Sequence, residues 1–159
     1  VGRELSIGRR FTVSGTVNGD GVATYIQLLS TATTRDVRLR RLTINCTVSD
    51  PTVETLMRLT IERGSGGAAA GGAKSVIPLN STDATAVFTV TGPISASNAF
   101  GAGTSLVEDA VNSRIPYDLN LAPDEAPSVK NSTNRFLMRL FPSPSGVTVS
   151  YTVFFESLE

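Results

Sequence analysis

The sequence contains no histidine and no tryptophan, and Cys46 is its single cysteine. One cysteine excludes an internal disulfide, and with no histidine a zinc site lacks its usual ligands. A catalytic thiol would need a neighbouring base, and histidine is missing for that role too. Charge of one sign is also missing, because 14 Lys and Arg residues balance 14 Asp and Glu residues. A neutral chain has no overall field to draw it to nucleic acid or to an anionic membrane. It also lacks the self-repulsion that opposes assembly. No run reaches the roughly 18 apolar residues of a membrane-spanning helix. The opening Val1-Gly2-Arg3-Glu4 has no basic-then-apolar secretion pattern, which is compatible with cytoplasmic synthesis followed by assembly.

What is present is an ordinary globular composition, 40% hydrophobic and 18% charged, which separates the chain from disordered sequences. A length of 159 residues suits one domain spanning 1–159. Such a chain buries roughly 70% of the surface that its unfolded form exposes, so it needs no metal or disulfide to hold a core.

Period-two alternation is the dominant pattern. In the last apolar segment Val147, Val149, Tyr151, Val153 and Phe155 share one phase, while Thr148, Ser150, Thr152, Phe154 and Glu156 share the other. One face is apolar and the other mostly polar, as in an antiparallel sheet with one buried side. Phe11, Val13 and Val17 open the chain in the same way, and Asn18-Gly19-Asp20-Gly21 predicts a tight hairpin into Ala23–Leu29. In Val37–Val48 the apolar phase slips. Val37 and Leu39 share one phase, whereas Leu42, Ile44, Cys46 and Val48 share the other. A bulge near Arg40-Arg41 would restore the inward direction. Cys46 in that run reads as a small buried hydrophobe.

Further strands are expected at Thr55–Arg63, Val76–Leu79, Ala86–Thr91, Ile115–Leu121 and Phe136–Phe141. Met57, Leu59 and Ile61 should face inward, with Leu56 outward. Ile115, Tyr117, Leu119 and Leu121 share one phase. The stretch 94–112 reads as long and irregular, with at most two helical turns at Ser105–Asn112. The eight prolines fall mostly between strands, against long helices. The expected fold is therefore all-β, an antiparallel β-sandwich of the jelly-roll type with about eight strands. The cysteine pair and tryptophan of an immunoglobulin sandwich are missing.

Candidate chemistry fails on stated requirements. Gly71-Gly72-Ala73-Lys74-Ser75 has Ala where a phosphate loop needs Gly before Lys-Ser, and a strand pattern follows where a helix is needed. Glu108-Asp109 and Asp124-Glu125 fall in expected loops and do not suggest paired carboxylates across a cleft. Asn18–Gly21 lacks the spaced oxygens of a calcium loop. Sequons occur at Asn45, Asn80 and Asn131, where chance in a Ser- and Thr-rich chain gives roughly one or two, and Asn45 sits mid-strand, so no glycosylation is inferred. No catalytic residue, cofactor or metal is expected, and the chain reads as a binding protein and not as an enzyme.

Three features point to contact with another protein. Arg35, Arg38, Arg40 and Arg41, with Arg9 and Arg10 elsewhere, are the one basic concentration. They lack the interleaved aromatics of a single-strand-binding face. They suit either a charged outer face that guards against edge aggregation or an arginine contact with a neighbour's carboxylates. Phe154 lies in the outward phase, so a partner or the chain's own N-terminal segment should cover it. The Gly/Ala-rich stretch Gly64–Gly72 suits a flexible loop tip, or a loop that orders against a neighbouring subunit.

Three stretches carry a family resemblance. They are Val37-Arg38-Leu39-Arg40-Arg41-Leu42-Thr43-Ile44, then Leu59-Thr60-Ile61-Glu62-Arg63 with its Gly/Ala loop, and Val147–Glu156. Together they resemble the small jelly-roll head decoration, or cement, proteins of tailed phages. The resemblance covers most of the chain as architecture and transfers no residue role. It implies trimers on the outer surface of the virion that bind the viral capsid protein and stabilise the shell, with no nucleic acid or membrane partner. Two other roles share the fold class. A tail-fibre module that binds a receptor or glycan would want aromatic platforms, and the chain has only three tyrosines. A small capsid protein would want a basic arm, and Val1–Arg10 holds three arginines.

Overall fold

A computed structural model describes residues 8–19, 24–30, 36–50, 52, 54–65, 72–86, 88–92, 103–130, 134–141 and 146–157. Twelve strands and no helix occur among them. In chain order they are β1 (Arg9–Asn18), β2 (Thr24–Ser30), β3 (Asp36–Val48), β4 (Leu56–Ser65), β5 (Ala73–Lys74) and β6 (Ile77–Pro78). The second half contains β7 (Phe88–Thr91), β8 (Gly103–Asn112), β9 (Tyr117–Asn120), β10 (Ser128–Lys130), β11 (Asn134–Phe141) and β12 (Val147–Ser157). The strands beyond those expected are β8 and the short β5 and β10, the last two of two and three residues. Segments that short show no alternation to read.

The strands form two six-stranded sheets, and every pairing is antiparallel. The first runs β10-β3-β12-β1-β6, with β9 also on β3. The second runs β5-β7-β2-β11-β4-β8. The long β3 carries β10 along 36–38 and β9 along 41–44, so the two short strands share one edge. One hydrophobic core draws on both sheets: Phe11, Val13, Val37, Leu39, Val153 and Phe155 from the first meet Met57, Leu59, Ile61, Phe88 and Phe136 from the second. Phe88 reaches across the layers. Its ring meets those of Phe11 and Phe155 edge-on, each at 5.4 Å between centroids, an arrangement that aromatic quadrupoles favour.

The phase slip in β3 occurs where the sequence puts it. Phe154 is opposite Arg41 and Phe155 is opposite Leu39, which leaves Arg40 as the extra residue of a bulge. The bulge lets Val37, Leu39, Leu42 and Ile44 all reach the core. The alternation of β12 also holds, with Val147, Val149, Tyr151, Val153 and Phe155 buried.

Four expectations are corrected. Ser105–Asn112 is strand and not helix. A second bulge lies there, because Ile61 faces Val107 while Glu62 faces Ser105, skipping Leu106. The bulge turns both Leu106 and Val107 toward the core, and that adjacency imitates helical spacing. Glu108-Asp109 accordingly lies in a strand and not in a loop. Asn18–Gly21 does not join a hairpin, because β1 and β2 belong to different sheets. Ile115 does not follow the phase of Tyr117 and is 63% exposed. Its N–H bonds the Asn112 carbonyl in a turn before β9 begins. Arg35, Asn131 and most of the Gly/Ala stretch lie outside the described residues.

Candidate interaction surface

The outer face of the first sheet is built from the alternate residues of β1, β12 and β3. Strand register sets them in rows. Arg10, Glu156 and Arg38 form one row. Ile77, Thr12, Phe154, Arg41 and Asn120 form the next. Ser14, Thr152, Thr43 and Asp118 follow, then Thr16, Ser150 and Asn45, then Asn18, Thr148 and Thr47. Charge and bulk therefore collect at one end, and small polar groups at the other. The sequence placed Arg9 and Arg10 apart from the arginines of β3. The topology brings them near, because β12 is the only strand between β1 and β3.

Each β3 arginine on this face has a partner in its own chain. Arg38 donates from Nη1 to the Pro123 carbonyl at 3.2 Å. Arg40 donates from Nε to the Leu121 carbonyl at 3.2 Å and pairs with Glu156 at 2.6 Å. Arg41 binds Asp118 through two bonds, at 2.9 and 2.7 Å, the fork geometry that arginine offers a carboxylate. Backbone bonds run alongside, from Leu121 N to the Arg40 carbonyl and from Leu39 N to the Pro127 carbonyl. The three arginines thus clasp the 117–127 segment to β3. Their first use is internal, and a partner would meet guanidinium groups already oriented.

The Arg40–Glu156 pair is the most enclosed of these. Side-chain exposure is 19% for Arg40 and 11% for Glu156. Gly8 packs against it so closely that an added Cβ would meet Glu156 Cγ at 2.5 Å. Arg41 and Asp118 stand in water. Their attraction raises the Arg41 pKa and lowers that of Asp118, chiefly through the side-chain hydrogen bonds between them. Phe154 is half-buried, and Arg41 is the group over its ring, 5.6 Å from the centroid. A cation stacked on an aromatic face is favourable, so part of the cover expected for Phe154 comes from its own sheet.

Two recesses open here. A shallow cleft of about 310 Å³ is lined by hydroxyls and an amide, among them Ser14, Thr16, Thr43, Asn45 and Ser150. A larger one of about 550 Å³ lies at the charged end, among Arg9, Arg10, Leu79, Asn80, Asp83 and Glu156. The exposed apolar residues Ile77 and Leu79 flank it. That edge was missed in the sequence. The run Val76–Leu79 reads as a plain strand, and nothing local says that it borders the arginines of β1.

The chemistry elsewhere is quiet. No group of three His, Cys, Asp or Glu residues able to hold a metal occurs among the described residues. Cys46 packs against the core and is half-buried, and burial pushes its thiol pKa up. Lys74 lies in a strand and not at a helix start. At the far edge the Tyr117 hydroxyl donates to Asp109 at 2.9 Å and ties β9 to β8 across the layers. Burial, and then that carboxylate, hold the Tyr117 pKa far above the usual tyrosine range. No protein-family model, curated protein or solved structure matches this chain.

Proposed function

We propose that the chain is a structural virion protein, a jelly-roll decoration or cement protein that binds the outer surface of a viral capsid and stabilises the shell as a trimer. The observation that carries the proposal is the strand order. A jelly roll sends eight strands back and forth between two sheets along a double Greek-key path. Counting β9 and β10 as one edge, the orders β1-β12-β3-β9/β10 and β2-β11-β4-β8, with β5, β6 and β7 inserted between β4 and β8, support the jelly-roll reading. The step from this fold to a shell-binding role is one of architectural analogy. Support also comes from an outer sheet face that combines oriented arginines, Phe154 and exposed Ile77 and Leu79, since arginine and large apolar anchors are enriched where proteins bind each other.

The test compares particles that carry this chain with otherwise identical particles that lack it. The proposal predicts that the bare particles break open at lower temperature and at lower chelator concentration. Equal resistance of the two would overturn it. Assembly of the pure chain into closed shells would also overturn it, in favour of a capsid role.

A further inference from the structure

We propose that copies of this chain join head to tail, the β1/β6 edge of one copy receiving the corner formed by residues 54–56 and 112–115 of the next. This rests on the assembly reading above and names the surfaces that would carry it. The starting observation is where large apolar side chains stay in water. Among the described residues these are Leu56, Ile77, Leu79 and Ile115, each more than half exposed. They fall into two pairs. Ile77 and Leu79 lie beside β1, where Ile77 faces Thr12 and Leu79 N bonds the Arg10 carbonyl. Leu56 and Ile115 share a corner, held by bonds between Thr55 and Ser113 and from Ile115 N to the Asn112 carbonyl.

The two places are complementary in charge and form. Beside Leu79 lies the 550 Å³ recess, lined by Arg9, Arg10, Asp83 and Glu156; Arg40 already pairs with Glu156, which leaves Arg9 and Arg10 against Asp83. The Arg10 guanidinium has no partner among the described residues. At the corner, Glu54 accepts a hydrogen bond from the Asn112 amide and has no cation beside it among the described residues. The nearby strand adds Glu108, paired with Arg58, and Asp109, so the corner counts three carboxylates against two arginines, Arg58 and Arg114. One place is a basic recess with an apolar rim, and the other is an apolar corner with an acidic surplus. Like against like would set Arg10 against Arg10.

Their positions decide the symmetry. β6 is the end strand of the first sheet and β8 that of the second. Tyr117 to Asp109 and Arg63 to the Ser128 carbonyl bring β8 and β4 over β9 and β10, while β1 approaches β5. The recess and the corner are thus on opposite edges of the layers and do not meet within one chain. A contact between two different patches is heterologous, and it closes into a ring or runs on as a filament.

The test uses sedimentation of the full chain with Leu79→Asp and Leu56→Asp, the fold of each being checked by circular dichroism. Each variant alone should sediment at the single-chain mass of 16.7 kDa. Mixed one to one, they should form a species of twice that mass and stop there, because one intact recess and one intact corner remain. Ile77→Asp and Ile115→Asp form a second pair with the same expectation, should either first variant fail to fold. Arg10→Glu and Glu54→Arg should each weaken assembly, and the double variant should restore it. A wild-type oligomer indifferent to these substitutions, or a mixture that stays at single-chain mass, would overturn the contact alone. A wild-type chain that never associates would overturn the contact and the trimer together.

Discussion

Phe154 and Phe155 are neighbours in the chain on opposite faces of β12. Phe155 is 1% exposed and its ring packs on Phe88 of the other sheet. Phe154 faces outward, half-buried beneath Arg41, which Asp118 holds in place. One aromatic joins the two layers, and the other belongs to a stack running across β12, β3 and β9. An outward aromatic is therefore not by itself a sign of a partner, because a neighbouring arginine can shield it. The inner face carries the stability of the fold, and the outer face carries polar clasps with room for contact.

Chemical denaturation should separate the two faces. Phe155→Ala is expected to cost about 3–5 kcal/mol, as truncation of a buried aromatic leaves a cavity. Phe154→Ala should cost about 1 kcal/mol or less, the worth of an accessible cation–aromatic contact. Equal losses would erase the distinction. Next in size is Glu156→Ala, which strands the Arg40 guanidinium in an enclosed site. A loss of about 2–3 kcal/mol is expected, and Arg40→Met together with Glu156→Leu should recover most of it. No recovery would mean that the pair acts through more than its mutual charge.

A smaller effect belongs to the inner face of β1. A Cβ on Gly15 would meet the Tyr151 hydroxyl oxygen at 2.5 Å and the adjacent ring carbon at 2.8 Å. Gly15→Ala should therefore cost about 1–3 kcal/mol from overpacking. The Tyr151 hydroxyl is itself buried with no hydrogen-bond partner among the described residues, so Tyr151→Phe should be neutral or stabilising by up to about 1 kcal/mol. In that background Gly15→Ala should cost less, which a double-mutant cycle will read.

The smallest effect is a dependence on alkaline pH. Tyr117 has its pKa raised by burial and by Asp109. A raised folded pKa means that the folded state keeps a proton the unfolded state has lost. The contribution is fully present below the unfolded value, near pH 10, and is lost as pH rises toward the folded value. Wild-type stability should fall above about pH 10, and Tyr117→Phe should flatten that fall. An unchanged slope in the variant would place the cause elsewhere.

Much of the fold is legible in the sequence because alternation survives wherever one face meets the core. The β3 bulge is legible for the same reason, since Leu39 and Leu42 cannot both point inward without it. The β8 bulge is not, because Leu106-Val107 then become adjacent inward residues and read as helix. The arginines are legible as a cluster, but their partners are not. Asp118, Glu156 and the carbonyls of Leu121 and Pro123 are 77 to 116 residues away, and only the sheet order brings them close. Asp118 offers a faint signal, since the phase of Tyr117, Leu119 and Leu121 puts it on the outward side. The exposed edge at Ile77 and Leu79 offers none, because a two-residue strand has no period.

The central claim is that this chain works by assembling. The most direct measurement is the solution mass of the full chain by sedimentation equilibrium over a range of concentrations. Three copies of the 16.7 kDa chain are predicted, and a single-chain mass at every concentration would contradict the account.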